Sequence, residues 1–219
     1  MKIAKRLAWL PVTLLLAGCA AFTTSTQVQS GRRALLVNDP ARALPYFLAA
    51  AESDPGYVYR SVHFSEGIWT YVGRAQYAIK RYGEARQSLE RALKADAADN
   101  LARLYLGLTL TRSGDDGRGY KEILGAMRGI HDWLEYIQRS RPFEAYWDPL
   151  REIRKAIEVH LPSGPGGDAI VSERLVADAE WLGDKMEDEI ERVRQDERRQ
   201  FDNNFDRRRG LSVGLGIGF

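Results

Sequence analysis

A chain of 219 residues with 44% hydrophobic and 28% charged side chains can bury a real core, and its Ala, Leu, Arg and Glu content favours helices. The formal net charge of +2 sits at the start: residues 1–18 hold Lys2, Lys5 and Arg6 and no acid, leaving 29 bases against 30 acids from Cys19 onward. That balance removes the electrostatic case for a nucleic-acid partner, and past residue 18 no stretch is long and apolar enough to cross a bilayer as a helix.

The first element is a cationic start, Met1 to Arg6, followed by an apolar run from Leu7 to Ala17. This pattern predicts a secretory signal over residues 1–18, too short for a membrane-spanning helix. The one cysteine, Cys19, closes the segment Leu16-Ala17-Gly18-Cys19. A lone thiol in an exported protein has no internal disulfide partner. The segment resembles the lipobox of bacterial lipoproteins; the other reading is an ordinary signal peptide that carries a cysteine. The resemblance implies cleavage before Cys19, a diacylglycerol thioether on its sulfur and acylation of the new amino terminus. Each buried acyl CH₂ contributes about 0.8 kcal/mol, so two or three chains hold firmly where one does not. Because Ala20 rather than Asp follows the cysteine, the same resemblance implies the outer membrane, with the body lipid-anchored and facing the periplasm. Residues 19–30 then read as a lipidated tether.

A repeat follows. Trp69, Val72 and Gly73, then Tyr82, Ala85, Leu89 and Ala92, set large and small residues at helical spacing. A shift of 34 residues lands on Leu106-Gly107, Gly119, Ile123 and Ala126, and an earlier partial copy has Gly31, Ala43, Phe47, Ala50 and Pro55. The pattern resembles the tetratricopeptide repeat (TPR). It implies an all-α, TPR-like solenoid of about three helical hairpins over residues 24–133, with units near 24–57, 66–99 and 100–133 and an insertion at 58–65. Such arrays bind peptides or helices in a groove lined by the first helix of each pair. By position, the resemblance puts Thr70, Arg74, Tyr77, Leu108, Thr111 and Arg112 on that inner face. The apolar character of Leu101, Leu104 and Leu108 leaves two readings: an open ligand site, or a groove filled by a later helix of this chain.

Residues 134–162 continue an aromatic stretch that begins near His131, including Trp133, Tyr136, Phe143, Tyr146 and Trp147, with Pro142 and Pro149 as breaks. Two or three short helices capping the array are expected. Residues 163–168, Ser-Gly-Pro-Gly-Gly-Asp, form a linker without the Lys and Ser/Thr of a phosphate-binding loop. A long amphipathic helix is expected over 169–209. Its stripe Val171, Leu175, Ala179, Leu182, Met186, Ile190 and Val193 repeats every eleven residues, packing within the chain, against another copy or against a partner helix. In the tail, 210–219, Leu211, Val213, Leu215, Ile217 and Phe219 alternate with Gly or Ser, a strand-like pattern that resembles the closing strand of outer-membrane β-barrels. A lone strand leaves its backbone unpaired. The tail is therefore disordered, folded back, or added to the sheet edge of another envelope protein such as a β-barrel.

The pattern offers no catalytic centre, metal site or cofactor. His63, His131 and His160 lack metal-ligand spacing, and no Gly-x-Ser-x-Gly elbow occurs. The chain is read as a non-enzymatic, lipid-anchored adaptor that binds a partner protein in envelope assembly, secretion or polymer export. The alternative is a structural outer-membrane lipoprotein that self-assembles as a homo-oligomer without a dedicated partner.

Overall fold

The computed structural model describes residues 10–61, 63–140, 147–161 and 172–214, with side chains over 23–61, 63–140, 147–161 and 173–202. Within these residues the chain is mainly helical: α1 (Leu10–Leu36), α2 (Pro40–Ser53), β1 (Val58–Ser61), β2 (Phe64–Gly67), α3 (Ile68–Ala78), α4 (Tyr82–Ala95), α5 (Asn100–Arg112), α6 (Asp116–Ser140), α7 (Glu152–Glu158) and α8 (Ser172–Gly214).

The first six helices pair as α1–α2, α3–α4 and α5–α6, and the same turn closes each pair. Asn38, Lys80 and Gly114 take left-handed backbone conformations, with φ of 55°, 64° and 86°. The residue after each donates its amide across the helix end, Asp39 to Ala34, Arg81 to Gln76 and Asp115 to Leu110, at 2.8, 2.9 and 2.9 Å. A second bond, from the left-handed residue to the carbonyl three back, completes a Schellman closure in all three. Lys80 holds this conformation with a β-carbon and without Asn or Gly chemistry, so the packing of the pair sets the turn.

Close crossings recur at the same places. A β-carbon on Gly31 would meet the Phe47 ring at 2.5 Å, and one on Gly73 would meet Leu89 Cγ at 2.5 Å. One on Gly107 would meet the Gly119 carbonyl and the Ile123 amide at 2.8 Å. Within each pair the contacts run antiparallel, as with Thr24–Ser53, Gln76–Ser88 and the Gly129–Asn100 approach. The small residues expected at the crossings thus bring backbones together, and Phe47, Leu89 and Ile123 fill the space beside them, all fully buried.

The insertion between the first and second pairs is a β-hairpin, with Val58 opposite Gly67 and Ser61 opposite Phe64. Its Phe64 joins Trp133 and Trp147, at centroid distances of 6.0 and 5.7 Å. The aromatic segment departs from expectation. Instead of breaking near 133, α6 runs unbroken to Ser140, because Ile123, Met127, Ile130, Leu134 and Ile137 keep one buried stripe in step. Phe143 and Tyr146 lie outside the described residues. The α7 start is held by Asp148, whose carboxylate accepts from the Ile153 and Arg154 amides at 3.0 and 3.1 Å.

Helix α8 takes up residues 172–209 of the expected span and continues to Gly214, while residues 169–171, with Val171 of the predicted stripe, lie outside the described residues. Leu175, Ala179, Leu182, Met186, Ile190 and Val193 are each at most 1% exposed, so the stripe packs within the chain. Gly183 lets α8 come down on the Tyr105 ring of α5. Residues 24–30, read from the sequence both as tether and as the start of the first repeat unit, belong to α1, where Thr24 and Val28 are buried.

Candidate functional site

The inner faces of α1, α3 and α5 meet α8. Along that helix Glu180, Asp184, Glu187 and Glu191 recur at steps of four, three and four, which places them on one side, next to the apolar stripe. Opposite them stand the residues predicted to line a groove. Arg112 Nη2 donates to Glu180 Oε1 at 2.6 Å, and the Tyr77 hydroxyl donates to the same oxygen. Arg74 Nη1 donates to Glu187 Oε2 at 3.0 Å and to Glu66 Oε1 of β2 at 2.7 Å. The groove face is therefore filled by the chain's own helix.

The other predicted residues sit nearby in different roles. Thr70 donates to Asp99 Oδ2 at 2.6 Å, helping to place the carboxylate whose other oxygen caps α5 through the Ala102 amide. Leu108 is fully buried. Thr111 bonds its own helix at the Leu108 carbonyl and, with Arg112, Asp116, Tyr120, Glu173 and Glu180, lines a cavity of about 380 Å³ beside the first turns of α8.

Arg32 was not among the predicted residues, yet it is the centre's second cation. It follows Gly31 as Arg74 follows Gly73, so the two arginines hold equivalent places in successive pairs. Arg32 Nε donates to Glu187 Oε1 at 3.0 Å, and both side chains are almost fully buried. Glu187 thus takes one arginine on each oxygen. The guanidinium faces rest on aromatic rings, Arg32 on Tyr59 at 4.3 Å and Arg74 on Tyr105 at 5.3 Å. The signal that could have found Arg32 is the repeat register itself; Glu187 could have been found from the spacing of acids on α8.

Burial dominates the electrostatics. It pushes the Glu66 carboxyl up to about 7, against the pull of Arg74, while Glu187 and Asp99 add to the rise. For Arg74, burial works against the charge, but Glu66, Tyr105 and Glu187 together hold it well above the ordinary arginine value. Burial also raises Asp99, opposed by the Ala102 amide and Thr70. Glu66 Oε2, Tyr71 Oη, Arg74 Nε and Arg32 Nη1 have no hydrogen-bond partner among the described residues. A cluster of this kind costs desolvation and sets register more than it adds stability.

No three His, Cys, Asp or Glu side chains stand together in a metal-holding group among the described residues. His131 meets Glu158 at 3.3 Å, and His160 meets Asp178 at 2.6 Å. Cys19 falls within the α1 backbone, and no described helix is long and apolar enough to cross a membrane. In the tail, Leu211 and Val213, whose alternation is strand-like, lie in the helical end of α8, while Leu215, Ile217 and Phe219 lie outside the described residues. A segment with no neighbouring strand can satisfy its backbone as the end of an existing helix, which needs no new nucleus. Comparison with protein-family models and with curated proteins returns no match.

Proposed function

We propose that this chain is a lipid-anchored scaffold of the outer membrane, facing the periplasm, that docks a partner protein in cell-envelope assembly, secretion or polymer export. The three hairpins are read as TPR-like repeats. The observation that carries the reading is their recurrence: the Schellman turn and the glycine crossing return at steps of 42 and 34 residues, the first lengthened by the hairpin insertion. Units that repeat their joints in this way stack into an extended framework, an architecture used for binding rather than chemistry. The anchor is assigned from the Leu16–Cys19 segment.

Since α8 occupies the groove side, docking falls to the surfaces it leaves: the outer faces of the hairpins and the chain beyond the groove. The test is affinity purification from detergent-solubilised envelopes, with the full chain and a chain ending at Arg209 as baits. The same envelope protein with both baits supports docking on the helical body, and its loss from the shortened bait assigns docking to the tail. Oligomers of the chain without any other protein support the self-assembling alternative. Intact mass of the envelope-purified protein tests the anchor, which Cys19→Ser should abolish; an unmodified mass in the parent chain would overturn it.

A further inference from the structure

The charge of α8 reverses along its length. From Glu173 to Glu197 it carries ten acids and four bases; from Arg198 to Gly214 it carries Arg198, Arg199, Arg207, Arg208 and Arg209 against Asp202 and Asp206. The reversal falls where the helix leaves the body. Val193 ends the buried stripe, and this part of α8 is tied to α1 from Arg194 Nη1 to Gln29 Oε1 at 3.2 Å and to β1 from Ser61 Oγ to Glu197 Oε2 at 3.4 Å. Beyond them Arg198, Arg199 and Gln200 are exposed, and Phe201 is 72% exposed. Arg199 has one exposed ion pair, to Asp196 at 3.8 Å. A phenylalanine exposed to water beside arginines, on a helix that continues to Gly214, suits a surface that is both apolar and anionic.

We propose that the end of α8, from Arg198 onward, lies on an anionic phospholipid bilayer and forms a second membrane contact beside the amino terminus. The proposal rests on the reading of Cys19 as the lipidated residue. Charge complementarity selects the occupant: guanidinium groups pair with headgroup phosphates in two-pronged geometry and gather in the negative surface potential, while an aromatic ring enters the acyl boundary. The fold supplies the placement. Arg194 touches α1 at Gln29, ten residues along that helix from Cys19, or about 15 Å at helical rise. An anchor at Cys19 therefore holds the basic end of α8 within a few helical turns of the bilayer, where its effective concentration is high and a weak contact suffices.

The test uses the full chain with Cys19→Ser and Gln200→Cys, which leaves one thiol for an environment-sensitive fluorophore. The label is read with phosphatidylglycerol vesicles, with phosphatidylcholine vesicles, and after changing all five arginines to Gln, with circular dichroism confirming that each variant is folded. The expected result is a blue shift on phosphatidylglycerol alone, with at least about tenfold weaker binding in the Gln variant and in high salt. A label that stays in water on phosphatidylglycerol overturns the proposal. So does an equal shift on phosphatidylcholine or in the Gln variant, where the signal region alone would be responsible. A shift without vesicles, accompanied by a rise in mass, assigns the surface to a second copy and also overturns it. Failure of the Cys19 assignment would show in the intact mass of the envelope-purified protein and leaves the fluorophore result untouched.

Discussion

Replacing Glu187 by Ala would leave Arg32 charged and buried with only Glu191 at 3.9 Å, and Arg74 with only Glu66. Removing one partner of a buried ion cluster costs about 3–5 kcal/mol, and denaturant unfolding should read a loss of that size. Arg112→Ala at the exposed end of the same acidic row should cost less than about 1 kcal/mol, because solvent screens that pair. Glu66 gives the cluster a pH dependence. Its unfolded carboxyl titrates near 4.5 and its folded one near 7, so the folded state keeps the proton longer. The Glu66 contribution is therefore fully present below about pH 4.5 and is lost as pH rises through 7. Unfolding midpoints at pH 5 and pH 8 should differ in that direction, and Glu66→Gln should flatten the difference. Half of this centre was legible beforehand. Arg74, Tyr77 and Arg112 follow from the repeat register, whereas their acids come from an element far along the chain, and no local pattern states which acid meets which arginine. Arg32 and Glu187 are 155 residues apart.

Among the elements, the glycine crossings make the sharpest comparison. A β-carbon on Gly107 would press on backbone atoms of α6, but on Gly31 it would meet a phenylalanine ring that can turn aside. Gly107→Ala should therefore lower the melting temperature more than Gly31→Ala, and Gly73→Leu should cost about 1–3 kcal/mol as overpacking does. Equal melting temperatures for all three variants and the parent chain would remove the crossings from the account. The hairpin elements were readable because the same pattern of large and small residues at helical spacing returns in each pair. The length of α6 was not, because the repeat suggests an end near 133 while the apolar stripe carries on to Ile137 in the same phase. The strand-like alternation of 210–219 does not by itself state the local structure: period two specifies a strand only where another strand pairs with it, and within this chain residues 210–214 extend α8.

At the scale of the molecule, magnitudes decide what holds α8 in place. Burying Leu175, Leu182, Met186, Ile190 and Val193 stabilises by about 1.5–3 kcal/mol each as an upper figure, well above the net worth of the charged contacts. The stripe fastens the helix and the charges fix its register. A chain ending at Leu161 should consequently lose cooperative unfolding and bind a hydrophobic dye. The fold class was legible from composition and period, while the closure of the repeat face was one of two readings until α8 was seen against α1, α3 and α5. That closure has a mechanical consequence. An open stack of hairpins behaves as a spring, since each unit touches only its neighbours and small rotations add along the stack. Here one rigid rod is fastened across three coils, with Glu187 riveting the first coil to the second. Pull applied at the amino-terminal end is carried by α8 in shear across all three pairs, so the spring bears load as a braced frame.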